Sequence, residues 1–146
     1  MDGALSALAL GADGINMGTR FIATKEAPAH DNVKQALVMA NELQTRLIMR
    51  PLRNTERVLI NAAVEEILAI ERQKGAATTI EDIRHLVGGA GNRRVLQDGE
   101  LDAGAWSCGM VAGLIRDIPT CKELIDRIME EAEAIIRNRL EGLLAA

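Results

Sequence analysis

The fold class depends on the stretch Asp13-Gly14-Ile15-Asn16-Met17-Gly18-Thr19. This short, partly apolar run bracketed by glycines is typical of a strand that is buried on both faces in a parallel sheet. It is the one convincing strand that the pattern predicts. A lone strand leaves backbone N–H and C=O groups unpaired, at a cost of about 1–3 kcal/mol for each buried group. We therefore expect either that its partner strands are missing from the chain, or that the protein is a small helical bundle.

Composition excludes several classes of protein. The chain has 146 residues, of which 48% are hydrophobic and 26% are charged. This length and composition predict one globular domain and argue against a membrane protein. The formal net charge of −4 provides no field to attract nucleic acid, and Phe21 and Trp106 are the only aromatic residues, too few to stack bases. The N-terminus has no export signal, and Cys108 and Cys121 form no CxxC motif. We expect a cytoplasmic protein with no membrane and no nucleic-acid partner.

Around this strand, the apolar spacing predicts helices. The first covers 4–10 and is closed by Gly11, and the second runs from Asp31 to near Leu43. A longer helix starts at Asn54 or Thr55 and ends just before Gly75. The capping box of Thr79 and Asp82 begins a short helix, and that of Thr120 and Glu123 begins an amphipathic one. Residues 88–104, with five glycines, read as an exposed connection. The glycines of 103–115 suggest close backbone approach. The order of these elements looks like the closing β/α unit of a parallel α/β fold joined to extra helices.

The best candidate site is the end of the predicted strand, Asn16-Met17-Gly18-Thr19-Arg20. Gly18 allows a ligand to approach the backbone, and two N–H groups with the Thr19 hydroxyl suit a phosphate. Ligands of parallel α/β folds gather beyond the carboxyl ends of strands. The alternative is that Gly18-Thr19 only begins a turn.

These residues also carry a resemblance. The run Ala9-Leu10-Gly11-Ala12-Asp13-Gly14-Ile15-Asn16-Met17-Gly18-Thr19-Arg20-Phe21-Ile22-Ala23-Thr24-Lys25-Glu26 resembles the segment around the last barrel strand of the FMN-dependent nitronate monooxygenases, formerly called 2-nitropropane dioxygenases. Further similar segments follow in the same order: 30–34, 53–55, 102–106 and 113–119. Nearly the whole chain is covered.

The resemblance implies a TIM barrel with an inserted helical domain, FMN at the barrel mouth, and oxidation of alkyl nitronates by oxygen. A complete barrel needs about 250 residues, so the predicted fold class is α/β: an incomplete C-terminal part of a TIM (β/α)8 barrel, mostly helical in this chain, with one parallel-type strand. The implied domains are 1–30, the last barrel unit; 31–105, the inserted helical domain; and 106–146, the return segment and final barrel helix. The implied FMN-binding residues are Gly3, Met17, Gly18 and Thr19. Trp106 could border the flavin pocket or pack at a domain junction.

The resemblance assigns no catalytic residue to this chain, because the family's catalytic histidine precedes the similar segment. The isolated chain is then expected to be inactive. We expect His30 and His85 to be capping or solvated imidazoles, Arg93-Arg94 to be a solvated pair, and no metal site, because carboxylates and histidines nowhere take ligand spacing.

Two other functions stay open. One is an FMN-dependent enoyl-acyl-carrier-protein reductase, whose last barrel strand carries a similar glycine-rich run and which uses NAD(P)H. The other is a non-catalytic helical interaction module that self-associates or binds a partner through the apolar face of the last helix. We expect that face, with Ile128, Ile135 and Ile136, to be incompletely covered.

Overall fold

The computed structural model describes residues 6, 7 and 9–140. The chain divides into two compact units. We call Gly18–Ile118 the central unit, and Met1–Met17 with Pro119–Ala146 the terminal unit. Of the described helices, none combines the length and the apolar character that crossing a bilayer demands.

The central unit is mostly helical. Its elements are α1 (Thr19–Ile22), α2 (Asp31–Met39), a 3₁₀ turn (Glu42–Gln44), β1 (Thr45–Ile48), β2 (Glu56–Leu59), α3 (Ala62–Lys74), a 3₁₀ turn (Gly75–Ala77), α4 (Ile80–Val87), α5 (Gly89–Arg93) running into a π-helical turn (Arg94–Asp98), and a 3₁₀ turn (Met110–Leu114). The terminal unit contains α6 (Cys121–Ile135), which runs into a π-helical turn (Ile136–Leu140).

The predicted strand is not formed, and the sheet lies elsewhere. Residues 14–17 have no regular structure, and Ile15 is 41% exposed. A parallel strand needs neighbours on its edges, and the described residues contain one sheet, in which β1 and β2 pair antiparallel with Thr45 opposite Leu59. The prediction of a parallel-type strand here was therefore wrong. The long helix that ends before Gly75 is confirmed, but its predicted start at Asn54 or Thr55 was wrong, because Glu56–Leu59 form β2 and the helix begins at Ala62.

The helix termini follow local chemistry. Asn61, not Asn54 or Thr55, caps α3: its side-chain oxygen accepts from the Val64 N–H at 2.9 Å. The predicted capping box of α6 is confirmed, because the Thr120 N–H donates to the Glu123 carboxylate at 2.7 Å and the Glu123 N–H donates to the Thr120 hydroxyl at 3.1 Å. Gly11 has φ +95°, and the Ala12 N–H donates to the Ala7 carbonyl, as in a Schellman helix end.

Residues 88–104 are ordered, contrary to the prediction of an exposed connection. The reason is close backbone packing: a Cβ at Gly91 would lie 2.6 Å from the Ala103 carbonyl oxygen, and one at Gly104 would lie 3.0 Å from the Gly91 carbonyl carbon. The glycines thus let two backbone segments touch. The close approach predicted for 103–115 is confirmed here and at Gly113, where a Cβ would lie 2.7 Å from the Glu42 nitrogen.

Two apolar clusters form the core of the central unit. The first includes Ala23, Val33, Leu37, Ala40, Leu59, Val95, Trp106, Cys108, Ala112 and Ile115. The second joins the hairpin to α3 and α4 and includes Ile48, Met49, Val58, Ala63, Val64, Ile67, Ile83, Leu86 and Ala105. Burying such side chains supplies most of the driving force for folding.

The apolar face of α6 is covered in part. Leu124 and Ile128 are buried, whereas Ile125, Met129 and Ile136 are exposed. Ile135 is half-buried. The expectation of an incompletely covered face holds at Ile136 and is wrong at Ile128.

The two thiols are expected to differ in reactivity. Burial raises the pKa of the Cys108 thiol to about 11, because the thiolate loses its hydration. Cys121 is partly exposed. At pH 8 we expect Cys121 alone to react quickly with DTNB, and Cys108 to react after unfolding or as the pH approaches 11. Cys121→Ser should abolish the fast phase and Cys108→Ser should preserve it; two fast thiols in the native protein would contradict this assignment.

Candidate functional site

The predicted phosphate-binding residues begin α1. Gly18 precedes this helix, and a Cβ placed on it would meet no atom of residues 6, 7 and 9–140 within 4 Å, so the space beside its backbone is open on that side. The backbone N–H groups of Gly18 and Thr19 donate to no acceptor within the described residues. The first turn of α1 carries no acidic side chain. Two unused donors beside open space are what an anion requires.

Thr19 connects this segment to a distant loop. Its side-chain oxygen Oγ1 accepts a hydrogen bond from the Gly109 N–H at 2.9 Å. The hydroxyl hydrogen of Thr19 can still be donated outward. The resemblance implied that Thr19 and Trp106 border one flavin site, and the structure brings Thr19 to Gly109, three residues after Trp106.

The loop before Gly109 is held by β2. Ser107 forms an antiparallel bridge with Val58, and the Cys108 N–H donates to the Arg57 carbonyl at 3.0 Å. The Ser107 hydroxyl also contacts the Glu56 carboxylate. The hairpin that the sequence reasoning missed therefore fixes the loop against which Thr19 rests.

Arg20 provides a second anchor for α1, in addition to the contact of Thr19 with Gly109. Its guanidinium donates to the Asp117 carboxylate at 2.7 Å, to the Asp117 carbonyl at 3.1 Å and to the Ala23 carbonyl at 3.3 Å. Arg20 is 5% exposed, whereas the Asp117 side chain is 44% exposed, so a buried guanidinium is paired with a carboxylate that still reaches solvent. Both residues lie in segments that carry the family resemblance, but 97 positions separate them, so no local pattern predicts the pair.

Trp106 lies in the first core cluster and is 1% exposed. Its indole nitrogen Nε1 is buried and has no hydrogen-bond partner. Of the two alternatives for Trp106, bordering the flavin pocket or packing, its surroundings in this structure match packing. Its ring offers almost no surface to a ligand here, so the glycines of the same loop are better placed than Trp106 to border one.

The other predicted site residues have different outcomes. Gly3 lies outside the described residues. Met17 is half-buried and ends the first segment of the terminal unit, directly before Gly18 in the chain. The cofactor role of these two residues stays a prediction.

The histidines take ordinary structural roles. His30 precedes α2, and its Nδ1 accepts from the Asn32 N–H at 3.1 Å, so it is a capping imidazole as expected. Asp31, where the predicted helix begins, is the first residue of α2, and the helix ends at Met39 and not near Leu43. His85 is solvent-exposed, 3.4 Å from the Glu66 carboxylate. The structure gives neither histidine a place in the candidate site.

The arrangement fits a phosphate group of a cofactor. Gly18 and Thr19 would supply N–H donors, Thr19 would add its hydroxyl, and the Arg20–Asp117 pair would hold α1 in position. The segment binds and orients; none of its side chains is placed as a general base.

Comparisons with known proteins agree on one family. A sequence profile described as nitronate monooxygenase matches residues 2–131. Two curated relatives are similar to the chain, both named (3aS,4S,5R,7aS)-5-hydroxy-7a-methyl-1-oxo-octahydro-1H-indene-4-carboxyl-CoA dehydrogenase. The one from Mycobacterium tuberculosis is 29% identical over 89% of this chain and 46% of its own length; the one from Rhodococcus jostii is 31% identical over 99% and 50%.

Solved structures give the same result. FabK from Thermotoga maritima matches 95% of this chain and 42% of its own, with 31% identity and a TM-score of 0.83. A single-residue mutant of the same protein matches 97% and 40%, with 30% identity and a TM-score of 0.76. The chain therefore spans half or less of the length of these proteins. The predicted fold class, a mostly helical fragment of a TIM barrel-type fold, is confirmed by this match.

Proposed function

Because the chain belongs to the nitronate monooxygenase family, we propose that it forms part of a flavin-dependent oxidoreductase and supplies phosphate contacts of the flavin site. The observation that carries the proposal is the pair of unused N–H donors at Gly18 and Thr19, which lie beside open space in a segment held by the Gly109 loop. The proposed cofactor is FMN. When bound, its isoalloxazine ring would accept and pass on electrons.

This chain's own residues would bind and orient the cofactor. The N–H groups of Gly18 and Thr19 would donate to the phosphate, while the hydrogen bond between Thr19 and Gly109 keeps the Thr19 side chain in place. Arg20 would not contact the cofactor and would act as a positioning residue, because its ion pair with Asp117 fixes the direction of α1. For Met17 and Gly3 the proposed cofactor role rests on the family resemblance alone.

Two substrates are proposed for the reaction. The first is an alkyl nitronate oxidised by O₂, which the description of the matched family supports. The second is an acyl thioester, as in the enoyl-acyl-carrier-protein reductase alternative; the names of the two curated relatives, both carboxyl-CoA dehydrogenases, favour a thioester. A non-catalytic interaction module predicts neither reaction.

The test is to purify the chain alone and fused to the part of Thermotoga maritima FabK that it does not span. We expect the fusion to retain yellow flavin and the isolated chain to remain colourless and inactive. The fusion is assayed for nitronate-dependent oxygen uptake and for NAD(P)H- or acyl-CoA-dependent turnover beside FabK itself, and only a substrate preference that differs from that of FabK is assigned to this chain. A folded fusion, with blue-shifted emission from buried Trp106, that retains no flavin would contradict the proposal and favour an interaction module.

The phosphate contacts are tested by Gly18→Val in the same fusion. The branched side chain would occupy the open space beside the donors, so we expect FMN to bind at least about tenfold more weakly, as for the loss of one charge-assisted hydrogen bond. Riboflavin, which lacks the phosphate, should be little affected. The matched control is Gly14→Val, at another glycine with no neighbour within 4 Å; equal losses at both positions would contradict the assignment.

A further inference from the structure

A cleft of about 390 Å³ lies in the central unit, between the loop before α2, the end of α4 and α5. This volume falls within the range of about 300–1,000 Å³ that is usual for small-molecule sites. Pro28, Val87 and Leu96 supply apolar surface to its lining. The His30 N–H donates to the Leu96 carbonyl at 2.7 Å, so the loop that carries Pro28 is tied to the opposite side.

One uncompensated cation lines this cleft. Arg93 forms no ion pair or hydrogen bond within the described residues, and none of the lining residues is a carboxylate. Its neighbour Arg94 is instead paired with Glu100. The two consecutive arginines, treated as one solvated pair in the sequence, are therefore different: Arg94 is neutralised and Arg93 is available to an anion.

The rest of the lining indicates what the anion is attached to. Asn92 and Gln97 each carry an amide that can both donate and accept, which suits a ligand with peptide-like amides. No lining residue is aromatic, so the cleft offers no ring on which a nucleobase could stack. An anion joined to a flexible chain of amides and methyl groups matches these surfaces better than a nucleoside.

We propose that this cleft binds the phosphopantetheine arm of a coenzyme A thioester, with Arg93 contacting its phosphate. This inference rests on the acyl thioester proposed above as substrate. Asn92 and Gln97 would pair with the amides of the arm, and Val87 and Leu96 would pack against its methyl and methylene groups. Arg93 would then determine specificity by selecting a phosphate-bearing acyl carrier over a simple organic acid.

The test measures binding to the chain itself, without flavin, by calorimetry with coenzyme A, 4′-phosphopantetheine, ATP and inorganic phosphate as probes. We expect coenzyme A and 4′-phosphopantetheine to compete for one site, and to bind more tightly than ATP or phosphate. Their affinity should fall as salt is raised, because an exposed ion pair is screened. Since no flavin is present, failure here leaves the flavin test unaffected, and the two failures can be told apart.

Arg93→Ala and Arg94→Ala form a matched pair. Arg93→Ala should weaken coenzyme A binding about tenfold or more, as expected when a charge-assisted hydrogen bond is lost, while Arg94→Ala should leave it within about twofold, since Arg94 is paired elsewhere. Gly89→Leu is a second variant: a Cβ at Gly89 meets nothing within 4 Å, so the side chain fits the fold but enters the cleft and should block binding. ATP binding as tightly as coenzyme A, equal effects at both arginines, or no binding of either arm-bearing probe would overturn the proposal.

Discussion

Arg20→Ala is expected to lower the free energy of unfolding by about 2 kcal/mol, because the backbone carbonyls and the half-exposed Asp117 carboxylate lose the hydrogen bonds of a buried guanidinium. The guanidinium bonds to Asp117 and Ala23 would be lost together. Urea unfolding followed by tryptophan fluorescence measures the change. Trp106 is the single tryptophan, the chain has no tyrosine, and Trp106 lies in the central unit together with Arg20.

The control for this prediction is Arg84→Ala. Arg84 pairs with Glu81 on the surface of α4, and both side chains are two-thirds exposed, so its removal should change stability by less than about 1 kcal/mol. Arg20→Lys should fall between the two, because lysine keeps the charge and loses the fork of donors. Similar losses for Arg20→Ala and Arg84→Ala would show that burial of the Arg20 guanidinium adds nothing to the strength of its contacts.

Gly91→Ala should destabilise the protein by about 2–3 kcal/mol, the cost of forcing an atom into a packed backbone contact. The new Cβ would lie 2.6 Å from the Ala103 carbonyl oxygen and 3.3 Å from the Gly104 Cα, and neither backbone atom can rotate away. The same unfolding measurement applies.

Gly89→Ala, in the same helix, is the control, and its expected change in stability has the opposite sign or is zero. Its Cβ meets nothing within 4 Å, so the higher helix propensity of alanine should leave stability unchanged or raise it by up to about 1 kcal/mol. If Gly91→Ala were as well tolerated as Gly89→Ala, the close contact between α5 and residues 103–104 would be disproved.

The elements that the sequence predicted well are those set by local chemistry. The side chains of Thr120 and Glu123 each accept a hydrogen bond from the other residue's backbone N–H, so four residues are enough to predict the start of α6. The hairpin was missed because Val58 and Leu59 fit both a strand and the helical spacing that continues into α3. Its turn also lacks a glycine signal: Met49 and Arg53 occupy positive φ values of 58° and 55° with ordinary side chains.

The candidate site was predictable in its parts and not in its assembly. Gly18 and Thr19 follow from the preference of phosphates for unhindered backbone donors. The contact of Thr19 with Gly109 spans 90 positions, and no periodicity encodes so distant a pairing. The two arginines at 93 and 94 show the same limit, because their separate surroundings depend on folding.

The contacts of Thr19 and Arg20 with Gly109 and Asp117 also bring together the two ends of the central unit. A unit whose entry and exit points are adjacent can be inserted into a host chain, or cut out of one, without stretching either. Residues 18–118 thus have the connectivity of a cassette, and joining their termini by a short linker would give a circular polypeptide with the same internal contacts.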